Sequence, residues 1–254
     1  MIACQRSAPT VGAADHAQRS SLPIELEFDF ECGVIPTDPI ELIIEQPELY
    51  TICLNGVEQS NQVCGYWCDP ALSRVKLDLS ALRSGKNILT LACDYSAALP
   101  GLEAIYLAGD FGVALPDKLI APQQLEAKIA PADLAIPYYA GNMIYNFEFT
   151  LDRDSPIEIT ADEWAGSGIA LSIDRSPLKL LLSPPWKLVS DKLSAGRHTL
   201  QIKLYGSCRN AMGPFYLDPM PDWIGPNEFK RLQTQDKQLV PFGLQSLPEI
   251  CCTE

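Results

Sequence analysis

Four tryptophans lie beside side chains that could turn them into binding surfaces: Trp67 between Tyr66 and Cys68-Asp69, Trp164 after Asp162-Glu163, Trp186 after Pro184-Pro185, and Trp223 after Asp222. An indole laid against the apolar face of a pyranose supplies the burial term of sugar recognition, while nearby planar polar groups take the hydroxyls. Tyr66, Trp67, Asp69, Trp164 and Trp186 are therefore the candidate ligand-binding residues. Large aromatics are usually well buried, so packing in a core or a seam is the competing role for each of them.

Hydrolysis of a glycosidic bond would need two carboxylates facing one site. Glu103 and Asp110 are seven apart on a strand-like run and so point to opposite faces. Asp162-Glu163 beside Trp164 is the better pair, set against a solvated loop on a chain of formal net charge -13. His198 has no serine or cysteine that spacing nominates, and its place in a turn–strand unit favours a structural role. No glycine-rich phosphate loop and no metalloprotease helix motif occurs. No catalytic residue is expected.

The chain holds nine cysteines, an odd number, so at least one thiol stays unpaired within it. Cys53 and Cys93 sit in strand-like runs, where cysteine acts as a small apolar filler. Cys64 with Cys68 and Cys251 with Cys252 would make a zinc set, but their spacing is irregular and the only histidines are His16 and His198. The expectation is no cofactor and no metal ligand, with a structural calcium ion left open. Reduced thiols, and no continuous apolar signal segment before residue 22, slightly favour the cytoplasm.

The elements that position these residues are written twice. Leu54-Asn55-Gly56 leads to Trp67, and Ile173-Asp174-Arg175 leads to Trp186, with 119 residues between matched positions. Leu82 to Leu91 is echoed by Leu193 to Ile202 at a spacing of 111, so the second copy has lost eight residues between its tryptophan and its glycine. A period this long implies two copies of a domain and not a solenoid of short units. Asn55-Gly56 carries the signature of a type I′ hairpin, whose two central residues want positive φ. Gly85 allows the next turn to reverse before a strand begins.

Around these turns the hydrophobic period is two. Ile24 to Phe30 alternates apolar and acidic residues, and further strands are predicted at Ile40 to Ile44, Leu49 to Leu54, Arg74 to Leu79, Asn87 to Tyr95 and Ala104 to Val113. The second half repeats the habit at Met143 to Leu151, Ile157 to Thr160, Ile169 to Ile173, Leu178 to Leu182 and His198 to Tyr205. The expected fold is all-β, two tandem sandwiches over 22–115 and 138–254, the second ending in an aromatic, proline-rich wrap. Residues 1–21 are expected to be a disordered or truncated tail, and 116–137 a proline-rich connector with a helical turn near 121–129. The acidic charge repels phosphate backbones, and no apolar run approaches the roughly 20 residues of a membrane helix, so neither nucleic acid nor a membrane is an expected partner.

Taken together, Leu54-Asn55-Gly56, Tyr66-Trp67-Cys68-Asp69, Leu82 to Leu91 and Leu102 to Val113 resemble the jelly-roll, galactose-binding-like accessory domains of large bacterial glycoside hydrolases. Pro137 to Tyr145, Trp223 to Phe229 and Leu239 to Leu244 are similar to the C-terminal sugar-binding-type sandwiches of the same proteins. The resemblance covers about Ser21 to Ile250. It implies a non-catalytic carbohydrate-binding or accessory module, with carbohydrate and a catalytic glycoside hydrolase domain as partners. Two alternatives stand beside it: a structural module that packs on a catalytic domain and binds nothing itself, and a small glycosidase with its site at the seam. The second copy departs from the pattern, with Asp174-Arg175 in place of Asn-Gly and His198 in place of Asn87, which weakens the case for the same sugar contact in both.

Overall fold

A computed structural model describes residues 2–4, 21–96, 99, 102, 104–115, 117–122, 135–213 and 239–253. The chain divides into two compact units, Met1–Gln124 and Leu125–Glu254. Both are built from β-strands; among the described residues the α-helical segment is the single turn Arg209–Met212. No helix there is long and apolar enough to cross a membrane.

The first unit contains β1 (Ile2–Cys4), β2 (Leu22–Cys32), β3 (Glu41–Glu45), β4 (Thr51–Leu54), β5 (Val57–Glu58), β6 (Val63–Tyr66), β7 (Leu72–Lys76), β8 (Gly85–Tyr95), β9 (Ile105–Ala108), β10 (Gly112–Ala114) and β11 (Lys118–Ile120). They form two sheets, β1-β9-β3-β7-β6 and β10-β11-β2-β8-β4-β5. Directly opposed residues share a face of a sheet, and the opposed rows show which face is interior. Phe28, Leu89 and Leu54 make one such row in the second sheet, and Leu42, Val75 and Leu107 make one in the first; all are buried. The alternate residues of β2, namely Glu25, Glu27, Asp29 and Glu31, are exposed, as strand alternation requires.

The second unit contains β12 (Met143–Leu151), β13 (Ile157–Thr160), β14 (Trp164–Ala165), β15 (Gly168–Ile173), β16 (Lys179–Leu181), β17 (Lys187–Val189), β18 (Gly196–Tyr205), β19 (Gly243–Leu244) and β20 (Glu249–Cys252). Its sheets run β12-β18-β15-β16 and β17-β13-β20, with a small β14-β19 ladder. Ile157 and Ile159 from one sheet close on Ile169, Leu171, Leu200, Ile202 and Leu204 from the other, all below 1% exposure. Each such aliphatic side chain contributes about 1.5–3 kcal/mol by leaving water.

Strand order repeats between the units. β8 lies between β2 and β4, and β18 lies between β12 and β15; β3 lies between β7 and β9, and β13 between β17 and β20. The long predicted strands are present within a residue or two, except that the one expected at Arg74 to Leu79 runs Leu72–Lys76, and Leu79 begins a 3-10 turn. Short edge strands carry too few residues to show a period, and β5, β6, β14, β17 and β20 were not legible for that reason. The run Ala104 to Val113 is two strands, β9 and β10, broken at Gly109-Asp110. Lys118–Ile120, placed by sequence in the connector, is a strand that pairs with both β10 and the end of β2, so the first unit continues past residue 115. Likewise Ile2–Cys4, placed in the tail, pairs with β9. Of the helical turn expected at 121–129, residues 121 and 122 are not helical; residues 123–129, with residues 5–20 and the wrap over 214–238, lie outside the described residues.

Candidate functional site

In the first unit, Tyr66 ends the edge strand β6 and is 60% exposed, while Trp67 turns the other way and is half-buried. The backbone then tightens: Asp69 Oδ1 accepts the Ala71 N–H at 2.8 Å, the Asx geometry that suits a short loop, and the Trp67 N–H reaches Leu72 O at 2.9 Å. This lays the indole over the outward face of the five-stranded sheet. There it packs on Ile43, Leu72 and Tyr106, with the Trp67 and Tyr106 ring centroids 5.8 Å apart and tilted by 46°. Arg74 stands opposite Ile43 on the same face and grips Glu41 with two hydrogen bonds, Nε to Oε2 at 2.7 Å and Nη2 to Oε1 at 2.8 Å. The guanidinium holds the Glu41 carboxyl below the usual range, with burial opposing it. An indole rim with a fixed guanidinium–carboxylate pair on one sheet face is an arrangement that can take a ring and its hydroxyls. Nothing in the residues around Glu41, Arg74 and Tyr106 marks them in the sequence; only strand register puts them on the sheet face that Trp67 covers.

In the second unit, Trp164 and Trp186 come together. Their centroids are 5.1 Å apart at an interplanar angle of 77°, an edge-to-face contact, and both pack against the interior cluster. They act here as a seam between β14 and the loop before β17, not as two separate platforms. Trp164 Nε1 is shielded from solvent and has no hydrogen-bond partner. Asp162 and Glu163 are exposed in the bend that leads to β14, and the Glu163 carbonyl accepts the Gln245 N–H at 2.9 Å. Glu103, Asp222 and Trp223 lie outside the described residues. Elsewhere in this unit Tyr139, Ser167, Ser207, Arg209, Asn210 and Phe242 line a cleft of about 200 Å³, and Asn210 pins Val240 by two hydrogen bonds of 2.9 Å.

The repeated turn residues make a polar latch in each unit. In the first, Asn55 and Gly56 have φ of 52° and 80°, the left-handed pair of a type I′ turn. Asn55 Oδ1 accepts the Ile88 N–H at 3.0 Å, and its amide donates to Ala81 O and to Asn87 Oδ1, each at 2.8 Å. Asn87, fully buried, also accepts the Arg83 N–H at 2.8 Å and donates to Arg83 O at 2.7 Å and Gly85 O at 3.0 Å.

In the second unit, Asp174 and Arg175 have φ of 49° and 60°, the same turn without glycine. Asp174 Oδ1 accepts the Thr199 N–H at 2.8 Å, and Oδ2 lies 2.6 Å from His198 Nδ1, while His198 Nε2 lies 2.8 Å from Ser194 O. The two departures from the repeat are one exchange: an amide pair has become a carboxylate–imidazole pair at the same place. An ion pair outside each latch is repeated as well, Lys86 to Asp29 at 3.3 Å and Arg197 to Glu148 at 3.1 Å.

Cys32, Cys53, Cys64, Cys93, Cys208, Cys251 and Cys252 are free thiols. Cys64 Sγ lies 3.3 Å from Arg74 O, and Cys251 and Cys252 stand opposite Glu158 and Ile157 on β20. Among the described residues no three His, Cys, Asp or Glu side chains gather as a metal site would require.

No family model matches the chain, and no curated protein matches it. Among solved structures, that of a rhamnosidase from Novosphingobium sp. PP1Y aligns over 92% of this chain at 16% identity and a TM-score of 0.33. The chain spans 22% of the length of that protein.

Proposed function

We propose that this chain is a non-catalytic accessory region of a glycoside-hydrolase-type protein, made of galactose-binding-like sandwiches, whose first unit contacts carbohydrate through Tyr66, Trp67 and Asp69. The observation that carries this reading is the half-buried Trp67 ring held on Tyr106, on the sheet face that also carries the Glu41–Arg74 pair. The ring offers the stacking surface, and the paired side chains and Asp69 offer fixed acceptors and donors for hydroxyl groups. Small polar sites of this kind bind with about millimolar to micromolar Kd. In the second unit Trp164 and Trp186 pack on each other, so a sugar contact there does not rest on those rings.

The test is titration calorimetry of the full chain against a panel of plant and host polysaccharides, with Tyr66→Ala and Trp67→Ala compared with Trp186→Ala. Loss of about tenfold or more in affinity for the first two, with Trp186→Ala changed only through stability, is the expected outcome. No heat from any polysaccharide in the panel would reject the reading.

A second reading, a scaffold that packs on a catalytic domain, is favoured by one observation. Leu178, Leu180 and Leu182, at the edge strand β16, are 41%, 53% and 83% exposed. A row of exposed leucines on a sheet edge is the kind of surface a neighbouring domain covers. Binding of a polysaccharide that Leu180→Ser and Leu182→Ser leave intact separates the two roles.

A further inference from the structure

The two latches differ in how their hydrogen-bonding groups can be satisfied. An asparagine side chain has an acceptor and two donor hydrogens, so Asn55 and Asn87 complement one another and the turn carbonyls with no net charge. His198 stands between two acceptors, Asp174 Oδ2 at 2.6 Å and the Ser194 carbonyl at 2.8 Å. A neutral imidazole has one N–H. It can donate to one of these neighbours and must then face the other, lone pair to lone pair, at hydrogen-bonding distance. An imidazolium donates to both.

We propose that the folded second unit holds His198 as an imidazolium at neutral pH, so that a bound proton secures its Asp174-Arg175 turn, whereas the equivalent turn of the first unit closes without one. The surroundings support this. The ring is 7% exposed and stacks on Phe149 of β12, whose centroid is 5.4 Å away. From the turn after β15 it meets Asp174, from the loop before β18 the Ser194 carbonyl. The other charges on these elements are engaged or outward. Lys192 pairs with Asp154 at 3.8 Å, and Arg197 pairs with Glu148 at 3.1 Å on the solvent face of the sheet. Arg175 and Arg153 are exposed. Asp174 is the charge that acts on the ring: its hydrogen bond, then that of Ser194, raises the His198 pKa, with burial opposing. For Asp174, burial raises the pKa, but the bonds from His198 and Thr199 together outweigh it and the net direction is down.

The consequence for stability follows from the signs. His198 is raised, so its contribution is complete below the unfolded value of about 6.5 and is lost as pH rises through the folded value. Asp174 is lowered, so its contribution is present above about 3.9 and is lost as pH falls through the folded value. The latch of the second unit is therefore strongest in mildly acid solution and loosens on the alkaline side. The amide latch is indifferent to both.

The first measurement is nitrogen-15 NMR of the full chain carrying His16→Gln, which leaves His198 as the one imidazole. The expected spectrum at neutral pH shows both ring nitrogens protonated, with titration above the ordinary histidine value and a return toward that value in Asp174→Asn. A neutral tautomer with one bare nitrogen at neutral pH, or titration at or below the ordinary value, overturns the proposal. The second is the exchange Asp174→Asn with His198→Asn, which copies the first latch into the second unit. Hydrogen exchange of β18 amides in the parent should quicken between about pH 6 and about pH 9 beyond the intrinsic rate, and in the exchanged protein this excess should vanish. An unchanged pH-dependent excess in a folded exchanged protein also overturns it. If that variant does not fold, the nitrogen-15 titration of the parent decides.

Discussion

The first unit ties its hairpin to the following strand with two amides, the second with a carboxylate and an imidazole, at matching places in the strand order. In both, the first turn residue caps a strand N–H, at Ile88 or Thr199, and its partner on the following strand, Asn87 or His198, reaches back four positions to a carbonyl, at Arg83 or Ser194. A buried polar position in a duplicated fold is thus constrained by its complement more than by its own identity. Asn87 suits Asn55, and His198 suits Asp174. In the first unit, where Asn87 is fully buried, one member exchanged without the other would leave a buried donor or acceptor unpaired, which costs more than the hydrogen bond itself contributes. The duplication therefore preserved a function of the side chains, closing a left-handed turn onto a sheet, while the chemistry changed.

The largest expected effect in this comparison comes from Asn87→Ala. It removes a fully buried side chain and strands the Arg83 N–H, the Arg83 and Gly85 carbonyls and the Asn55 amide. A loss of about 3 kcal/mol is expected for the first unit, read as faster hydrogen exchange in β2, β4 and β8 with the second unit unmoved. Equal loss in both units would show that the latches are not independent.

His198→Ala should cost somewhat less, about 2 kcal/mol in mildly acid solution, because its partner Asp174 is 45% exposed and can return to water. The cost should shrink as pH rises, in line with the raised histidine. A denaturation midpoint shift independent of pH would break the contrast with Asn87.

Next come the turn glycines, Gly85 with φ of 88° and Gly196 with φ of 134°, where an added Cβ meets nothing within 4 Å. The penalty of Gly85→Ala and Gly196→Ala is then backbone strain alone, about 1 kcal/mol each, and equal thermal shifts would sharpen the equivalence of the two turns. The smallest effect belongs to the outer ion pairs. Lys86→Gln and Arg197→Gln should each change stability by less than about 0.5 kcal/mol and should lose even that in salt, since both partners of each pair are well exposed.

Much of the fold is legible in the sequence, and the reason is local. β2, β12, β15 and β18 are long enough for alternation to show, and they pair in registers that keep Phe28, Phe147, Leu171 and Leu200 on interior faces or packed against them. Edge strands of two to four residues, such as β5, β14 and β19, hold no such signal. The candidate site was less legible. Trp67, Trp164 and Trp186 look alike as types with polar neighbours, yet one caps an outward sheet face and two pack on each other. Nothing in the residues flanking Trp164 indicates that Trp186 is its neighbour.

Strand alternation and the positions of the left-handed turns follow from the sequence alone, because they depend on residues a few places apart and on the steric freedom of Asn-Gly, Gly85 and Gly196, and the doubled plan follows from similar segments recurring 111 to 119 residues on. Tertiary structure alone decided which polar side chain answers which. Asn55 and Asn87, or Asp174 and His198, are separated by more than twenty residues, and only the pairing of β4 with β8 and of β15 with β18 brings them to hydrogen-bonding distance.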